Sequence, residues 1–487
     1  MSIRTIKLFI NGKYVKSKDE KMFDVTNPSN QEVIARVFEA GKEDVDYACR
    51  VAREAFEHSE WRTMSVAERC AKVKRMAEIV QSKRGELARL EALDVGKPFT
   101  VAFNDEIPRA ADNLKFFAEL MEKQSGETFP MDENYLNYTR YEPVGVAALI
   151  TPWNLPFMLT TWKLGPALAA GNTVVIKPSE ETPITVSLLG EIAKQAGIPD
   201  GVVNVVHGFG PNSTGEYITT HPEVDLIAFT GKTRNGAAVM EQGAKTIKRV
   251  SFGLSGKAAN IVFEDADLNK AIPVSIQAAF QNSGQVCLAG SRILVQRSIL
   301  NEFLSKFKEA AENLIVGDPQ SPKTNLGPLV SEEHYKKVKK YLEIAELENS
   351  KLITGGKRPD KLPASIFSGY YLEPTVYLQE NHKARICQEE IFGPVVTIVP
   401  FDTEEDALEM ANDSSYGLNG GIWTENLRRA HRVAHHVRAG TIWVNCWFVR
   451  DYRAPFGGFK KSGIGREGGG YSLEFFTEAK NICIALK

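Results

Sequence analysis

The chain has 487 residues, more than a single hydrophobic core organises, so two or three domains are expected. With 43% hydrophobic and 25% charged residues, a formal net charge of −2 and no long block of one sign, its composition is that of a soluble globular protein. That balance gives neither nucleic acid nor a membrane surface a footing as partner.

Residues 7–36 read as short strands and turns, with Asn11-Gly12 as a hairpin signal and Pro28-Ser29-Asn30 as a second turn. Helical patterns follow over 43–56, over 66–94 (where Ala71, Met76, Ile79 and Val80 fall near helical spacing) and over 105–122. Residues 136–141 alternate as an extended segment. From Val144 short apolar strands alternate with helices: strands at 144–150, 173–176, 202–206, 226–229 and 250–252, helices near 159–170, after Pro183, near Thr214 and at 237–247. Such alternation predicts a parallel sheet covered on both faces. A second series begins at Ala258, with strands at 259–263, 292–295, 395–400, 420–423 and 441–445. Its helices include 268–281 and one from Ser298 whose Leu300, Phe303, Leu304, Phe307, Ala311 and Leu314 form an apolar stripe. The chain therefore divides into two α/β domains near residue 255. Its tail, 466–487, ends extended and is suited to pair as an edge strand with another segment or another subunit.

Cys49, Cys70, Cys287, Cys387, Cys446 and Cys483 include no Cys-x-x-Cys pair. No metal site or disulfide framework is expected, and the spacing suits a reducing compartment. Met1-Ser2-Ile3-Arg4-Thr5 lacks an apolar signal core and no run reaches the length of a membrane span, so a cytoplasmic protein is expected.

One cysteine has a distinctive setting. Asn282-Ser283-Gly284-Gln285-Val286-Cys287-Leu288-Ala289-Gly290 places Cys287 in a glycine-bracketed loop between a helix and a strand. Taken alone, that residue reads as a small core hydrophobe at a turn. The stretch Gly208-Phe209-Gly210-Pro211-Asn212-Ser213-Thr214-Gly215 follows a strand as a phosphate-binding loop would, although its last spacing is two residues too long for Gly-x-Gly-x-x-Gly. Ile176-Lys177-Pro178-Ser179-Glu180 lies at a strand's C-terminal end, where ligands of open α/β sheets bind. Thr151-Pro152-Trp153-Asn154-Leu155-Pro156 holds an Asn amide between two prolines, as an oxyanion donor requires. Each is equally an ordinary turn. Gln388-Glu389-Glu390-Ile391-Phe392-Gly393-Pro394 and the stretch from Pro455 to Glu467 say nothing individually.

In this order and at these separations, the motifs resemble those of the NAD(P)-dependent aldehyde dehydrogenase superfamily. The resemblance runs from Phe9-Ile10-Asn11-Gly12 to Phe476-Thr477-Glu478. It implies a Rossmann-like NAD-binding domain (1–122 and 143–254), an α/β catalytic domain (255–455) and a small β oligomerisation arm (123–142 and 466–487), assembled as a homodimer or homotetramer. It assigns Cys287 to the nucleophile, which attacks an aldehyde to give a thiohemiacetal and then a thioester, and Asn154 with the Cys287 N–H to the oxyanion. Lys177, Ser179 and Glu180 match contacts to the adenosine ribose, and Glu180 favours NAD over NADP because a carboxylate repels a 2′-phosphate. Thr151, Trp153, Gly210, Phe229, Gly231, Leu254, Glu390 and Phe392 fall to the same cofactor site. Lys232 stands where the family has Ser, and its cation suits phosphate.

One departure matters most. Where the family has Glu-Leu-Gly-Gly-Lys, this chain has Gly253-Leu254-Ser255-Gly256-Lys257. Gly253 therefore stands at the position of the family's general base for thioester hydrolysis. Glu467 matches a second carboxylate assigned to proton relay and is the candidate substitute; a salt-bridged tail residue is the alternative. A missing base implies slow deacylation, a more reversible hydride step, or a thioester left for another thiol such as CoA. Within the superfamily the chain is most similar to the 2-aminomuconate and 2-hydroxymuconate semialdehyde dehydrogenases, through Ile107-Pro108-Arg109 and the stretch from Asn445 to Asp451. In those relatives the arginines matching Arg109 and Arg450 bind substrate carboxylates, for which the guanidinium fork is suited. Phe456 joins that substrate site. A bulky apolar or amino aldehyde is the second reading, with Phe157, Trp162, Trp447 and Phe448 lining a tunnel. A catalytically impaired binding homologue is the third.

Overall fold

Runs such as Val146–Ile150, Thr173–Lys177 and Leu226–Thr230 are apolar on both faces, so they are stable only as inner strands with helices on either side. In the computed structural model, which describes residues 3–487, they form the centre of an eight-stranded sheet. Met1 and Ser2, the start of the expected NAD-binding domain, lie outside the described residues. The strand order is Gly463–Ile464, Arg249–Gly253, Leu226–Thr230, Val146–Ile150, Thr173–Lys177, Val203–Val205, Leu8–Ile10, Lys13–Val15. The five strands from Arg249–Gly253 to Val203–Val205 are parallel, and the flanking ones antiparallel. Helices Val66–Ser82, Ile107–Met121 and Pro156–Ala170 cover one face. Lys42–His58, Thr214–Thr219 and Thr233–Ala244 cover the other.

Residues 254–258 carry the chain from the end of Arg249–Gly253 into a second, seven-stranded sheet. Its order is Lys351–Thr354, Thr375–Leu378, Val395–Phe401, Arg292–Gln296, Ala259–Val262, Asn419–Trp423, Thr441–Val444, parallel except for the first strand. Tyr135–Pro143 pairs with Thr477–Ala485 along its whole length, and with Thr128–Phe129 on its other edge. No helix among the described residues is long and apolar enough to cross a membrane.

Two expectations change. The helix read over 66–94 is two helices, Val66–Ser82 and Arg84–Asp94. Lys83 leaves helical geometry at ψ 8°, and the Ser82 hydroxyl bonds back to the Ile79 carbonyl at 2.7 Å, sharing it with the Lys83 N–H at 3.0 Å. The tail does not join the arm from 466 onward. Gly469–Phe476 is a helix whose Leu473 and Phe476 are buried in the first domain's core, and only Thr477–Ala485 enters the three-stranded sheet.

Asn172 holds this junction together. Its Oδ1 accepts from Gly145 N–H at 2.9 Å, and its Nδ2 donates to the Ala167 carbonyl at 3.1 Å and the Phe476 carbonyl at 2.8 Å, all in a fully buried setting. Asn172→Ala should destabilise the fold by about 3 kcal/mol, because it orphans buried backbone groups. The urea midpoint measures this, and an unchanged midpoint would contradict it.

Candidate active site

The parallel strands of the first sheet end together at Ile150, Lys177, Thr230 and Gly253, the edge at which open α/β sheets bind ligands. Their loops are tied to one another. Thr151 N–H donates to the Lys177 carbonyl at 3.1 Å, Thr182 Oγ1 to the Trp153 carbonyl at 3.0 Å, and Gly231 N–H to the Gly253 carbonyl at 3.0 Å. Against this edge sits the Cys287 loop of the second domain.

After the helix Leu268–Phe280, Asn282, Ser283 and Gly284 take φ of 51°, 56° and 72°. Three left-handed residues in succession turn the chain sharply. The third must be glycine, because a Cβ there would lie 2.1 Å from the Gly393 carbonyl oxygen. Gln285, fully buried, pins the turn: its Nε2 donates to Asn282 O at 3.1 Å and its Oε1 accepts from Val330 N–H at 3.0 Å. Asn154 meets this loop directly. Its Nδ2 donates to the Gln285 carbonyl at 2.9 Å, and Asn282 Nδ2 donates to the Asn154 carbonyl at 3.1 Å. One amide N–H is thereby committed and orients the second, which is left for a ligand.

Cys287 is partly exposed, with Trp447 Nε1 holding the next carbonyl, Leu288 O, at 3.0 Å. Burial of the sulfur, and then the Glu390 carboxylate, push its thiol up to about 12. The Arg450 cation and the N–H groups of Cys287 and Leu288 oppose that rise. Glu390 Oε1 accepts from Gly256 N–H at 2.9 Å, and Gly256 approaches so closely that a Cβ would lie 2.6 Å from Cys287 O. Phe392 has a φ of 62°; its carbonyl accepts from His334 Nε2 at 2.7 Å and its ring meets Trp153 edge-on at 5.2 Å.

The Arg450 guanidinium stacks on Phe456 at 3.9 Å and lies 5.0 Å from the Trp162 ring. Its Nη2 is buried without a partner. Burial, and then the Arg109 charge, lower its pKa to about 10. Arg109 itself stacks on Tyr452 at 5.7 Å. Both oxygens of Glu467 are engaged: Trp162 Nε1 donates to Oε2 at 3.0 Å, and Lys163 pairs with Oε1. At the strand ends, buried Lys177 Nζ donates to the Pro178 carbonyl at 3.0 Å and lies 3.5 Å from Glu180 Oε2, and Ser179 Oγ accepts from Glu181 N–H at 3.4 Å. Phe229 and Leu254 are buried, Lys232 precedes the helix Thr233–Ala244 without capping it, and a Cβ on Gly210 would meet no atom within 4 Å. An added Cβ on Gly253 would lie 3.2 Å from Thr230 Oγ1, so a side chain there requires a slight shift of Thr230.

Phe157 departs from expectation. As the second residue of Pro156–Ala170 it is fully buried in the first domain's core, so it lines no tunnel. Lys163 was not singled out in the sequence, although a lone lysine in the otherwise apolar helix Pro156–Ala170 was a signal. Lys257 also escaped notice; its buried Nζ has no partner, and burial lowers it to about 8. No group of three or more His, Cys, Asp or Glu side chains that could hold a metal occurs among the described residues.

A profile of the aldehyde dehydrogenase family matches residues 14–482. A 2-hydroxymuconic semialdehyde dehydrogenase of Pseudomonas sp. (strain CF600) is 50% identical over 488 residues, spanning 99% of this chain and 100% of that protein. A 2-aminomuconic semialdehyde dehydrogenase of Bos taurus is 43% identical over 98% of this chain and 97% of its own. The NAD+ complex of an aldehyde dehydrogenase from Bacillus cereus superposes with a TM-score of 0.96 at 43% identity, covering 99% of this chain and 97% of that one.

With its thiol raised to about 12, Cys287 should react with iodoacetamide at a rate still climbing through pH 9, since only the thiolate attacks. Glu390→Gln removes one cause of the rise and should speed the reaction at pH 7.5. Peptide mass spectrometry at Cys287 measures both; a rate already level at pH 8 would contradict the desolvated thiol.

Proposed function

Since the chain belongs to the aldehyde dehydrogenase family, we propose that it oxidises a carboxylated semialdehyde, of the 2-hydroxymuconic or 2-aminomuconic type, to the corresponding acid with NAD. The observation that carries the substrate class is Arg450 Nη2, buried without a partner. A desolvated guanidinium donor with no acceptor is costly unless a ligand supplies one. Arg109, whose charge reaches the same guanidinium, suits a second contact to that carboxylate.

Cys287 Sγ attacks the aldehyde carbon, losing its proton to water as the C–S bond forms. The uncommitted N–H of Asn154 and the Cys287 N–H receive the oxyanion. NAD supplies the hydride acceptor when bound. The chain's strand-end residues fit it: Lys177 and Glu180 suit the adenosine ribose, the uncapped start of Thr233–Ala244 beside Gly231 and Lys232 suits the pyrophosphate, and Glu390 with Phe392 and Trp153 suits the nicotinamide ribose. The Glu180 carboxylate supports NAD over NADP. The exposed apolar residues of the arm, Phe129, Met131, Tyr135, Leu136 and Ile484, support pairing between subunits as a dimer or tetramer.

Hydrolysis of the Cys287 thioester is the slow step in this reading. Gly253 offers no carboxylate, and Glu467, with both oxygens accepting from Lys163 and Trp162, is poorly placed to replace one. Loss of a general base costs about 10²–10⁴ in rate.

Replacing Arg109 and Arg450 with Ala should raise KM for a dicarboxylic semialdehyde about 10–100-fold, the value of one or two charged hydrogen bonds, with little change for a neutral aldehyde. Equal losses for both substrates would exclude the carboxylate subsite. Rapid mixing should show a burst of NADH of about one equivalent per site in the natural protein. Gly253→Glu, which the strand end accommodates with a small shift at Thr230, should shrink the burst and raise steady-state turnover. Absence of a burst, together with unchanged turnover in the variant, would refute slow deacylation.

A further inference from the structure

Beneath the Asn154 loop lies a group of charges that the chemistry above does not use. Lys97 Nζ sits between Glu91 Oε2, at 2.9 Å, and Glu106 Oε2, and all three side chains are almost fully excluded from water. Glu91 faces two ways. Its second oxygen, Oε1, accepts from Thr185 Oγ1 at 2.6 Å and from Phe157 N–H at 3.4 Å. Phe157 is the second residue of Pro156–Ala170, a helix whose own Leu155 supplies no side-chain cap. Glu91 thus serves as its anion from outside, where carboxylates are favoured by the helix dipole and the free N–H groups. Asn154 lies two residues before that helix, next to its N-cap Leu155. Asp94, on the same helix as Glu91, accepts from Ile184 N–H at 2.9 Å and fixes the neighbouring turn.

Lys97 is anchored in turn against the second domain. Gly96, at φ 82°, lies so close to residues 327–328 that a Cβ would be 2.7 Å from Pro328 Cγ, and a Cβ on Gly327 would be 1.8 Å from Gly96 O. Phe99 N–H donates to the Pro319 carbonyl at 2.8 Å. From there the contacts return to the nucleophile loop, through Ser283 Oγ to Gly327 O at 2.7 Å and Val330 N–H to Gln285 Oε1 at 3.0 Å. The circuit closes where Asn154 Nδ2 meets Gln285 O. It crosses both domains and passes through the two groups whose relative position forms the oxyanion site.

We propose that Glu91, held by Lys97, which Glu106 pairs with from the other side, is a positioning residue that sets the Asn154 amide against the Cys287 loop. This rests on the reading that Asn154 receives the oxyanion. A buried ion triad contributes little net stability compared with apolar side chains of the same volume, whereas it fixes geometry through directional bonds. Displacing an oxyanion donor by a fraction of an ångström is where such a device acts.

A double-mutant cycle in kcat/KM for the aldehyde separates positioning from general support. Glu91→Gln keeps the side chain's shape and removes its charge. It should lower kcat/KM about 10–100-fold, and Asn154→Ala about 10²–10³-fold. In the Asn154→Ala background, Glu91→Gln should cost no more than about threefold. Losses that multiply would overturn the positioning role, because a structural defect is indifferent to the amide. Asn154→Ala at wild-type rate would instead overturn the oxyanion reading. Should Glu91→Gln fail to fold, Lys97→Met with Glu106→Gln removes the holding cation without changing the triad's formal charge, and the same cycle applies. Failure of both to fold would assign the triad to stability and likewise overturn the proposal.

Discussion

Three consecutive residues with positive φ, Asn282, Ser283 and Gly284, set the geometry on which the site depends. Left-handed backbone is unfavourable for residues with a Cβ, by roughly 1–2 kcal/mol each. The turn persists because it is over-determined. Gly284 lies against the Gly393 carbonyl, Gln285 is bonded at both ends of its amide, and Asn282 reaches across to Asn154. The strain brings a loop of the second domain within hydrogen-bond reach of the first. Without it, Cys287 and Asn154 would belong to separate sheets with no common chemistry.

The charge arrangement around that turn is uneven. Glu390 and burial raise the thiol, and Arg450 is the cation opposing them. Arg450 also carries a buried donor, Nη2, that has no partner. A carboxylated ligand placed on it would partly cancel that positive charge near the sulfur, so the proposed recognition and thiol ionisation would draw on the same guanidinium. Gly253, in contrast, lies at a strand end where an added Cβ would meet Thr230 Oγ1 at 3.2 Å, so a side chain there asks only a slight shift of that hydroxyl.

Much of the fold was legible in the chain because its signals are local. The parallel strands announce themselves as apolar runs, and Val146–Ile150, Thr173–Lys177 and Leu226–Thr230 fall within two residues of the expected places. The Cys287 loop and the Asn154 turn were legible because glycines and prolines mark them. What stayed hidden depended on direction or on distance along the chain. Nothing in the sequence says that Phe157 points into the core while Trp162, five residues on, faces Arg450. The engagement of Glu467 by Lys163, and the joining of Glu91 with Thr185, link residues far apart in sequence. At the break by Lys83 a serine hydroxyl shares the Ile79 carbonyl with the Lys83 N–H, a local detail that apolar periodicity does not register.

The crossing at 254–258 has a mechanical side. Leu254 N–H is bonded to Ser462 O at 2.9 Å, Gly256 N–H to Glu390, and the Gly256 backbone rests on Cys287. A connection so short, fastened on both flanks, works as a weld and not as a hinge. Such bonding resists rotation of one sheet against the other about this crossing.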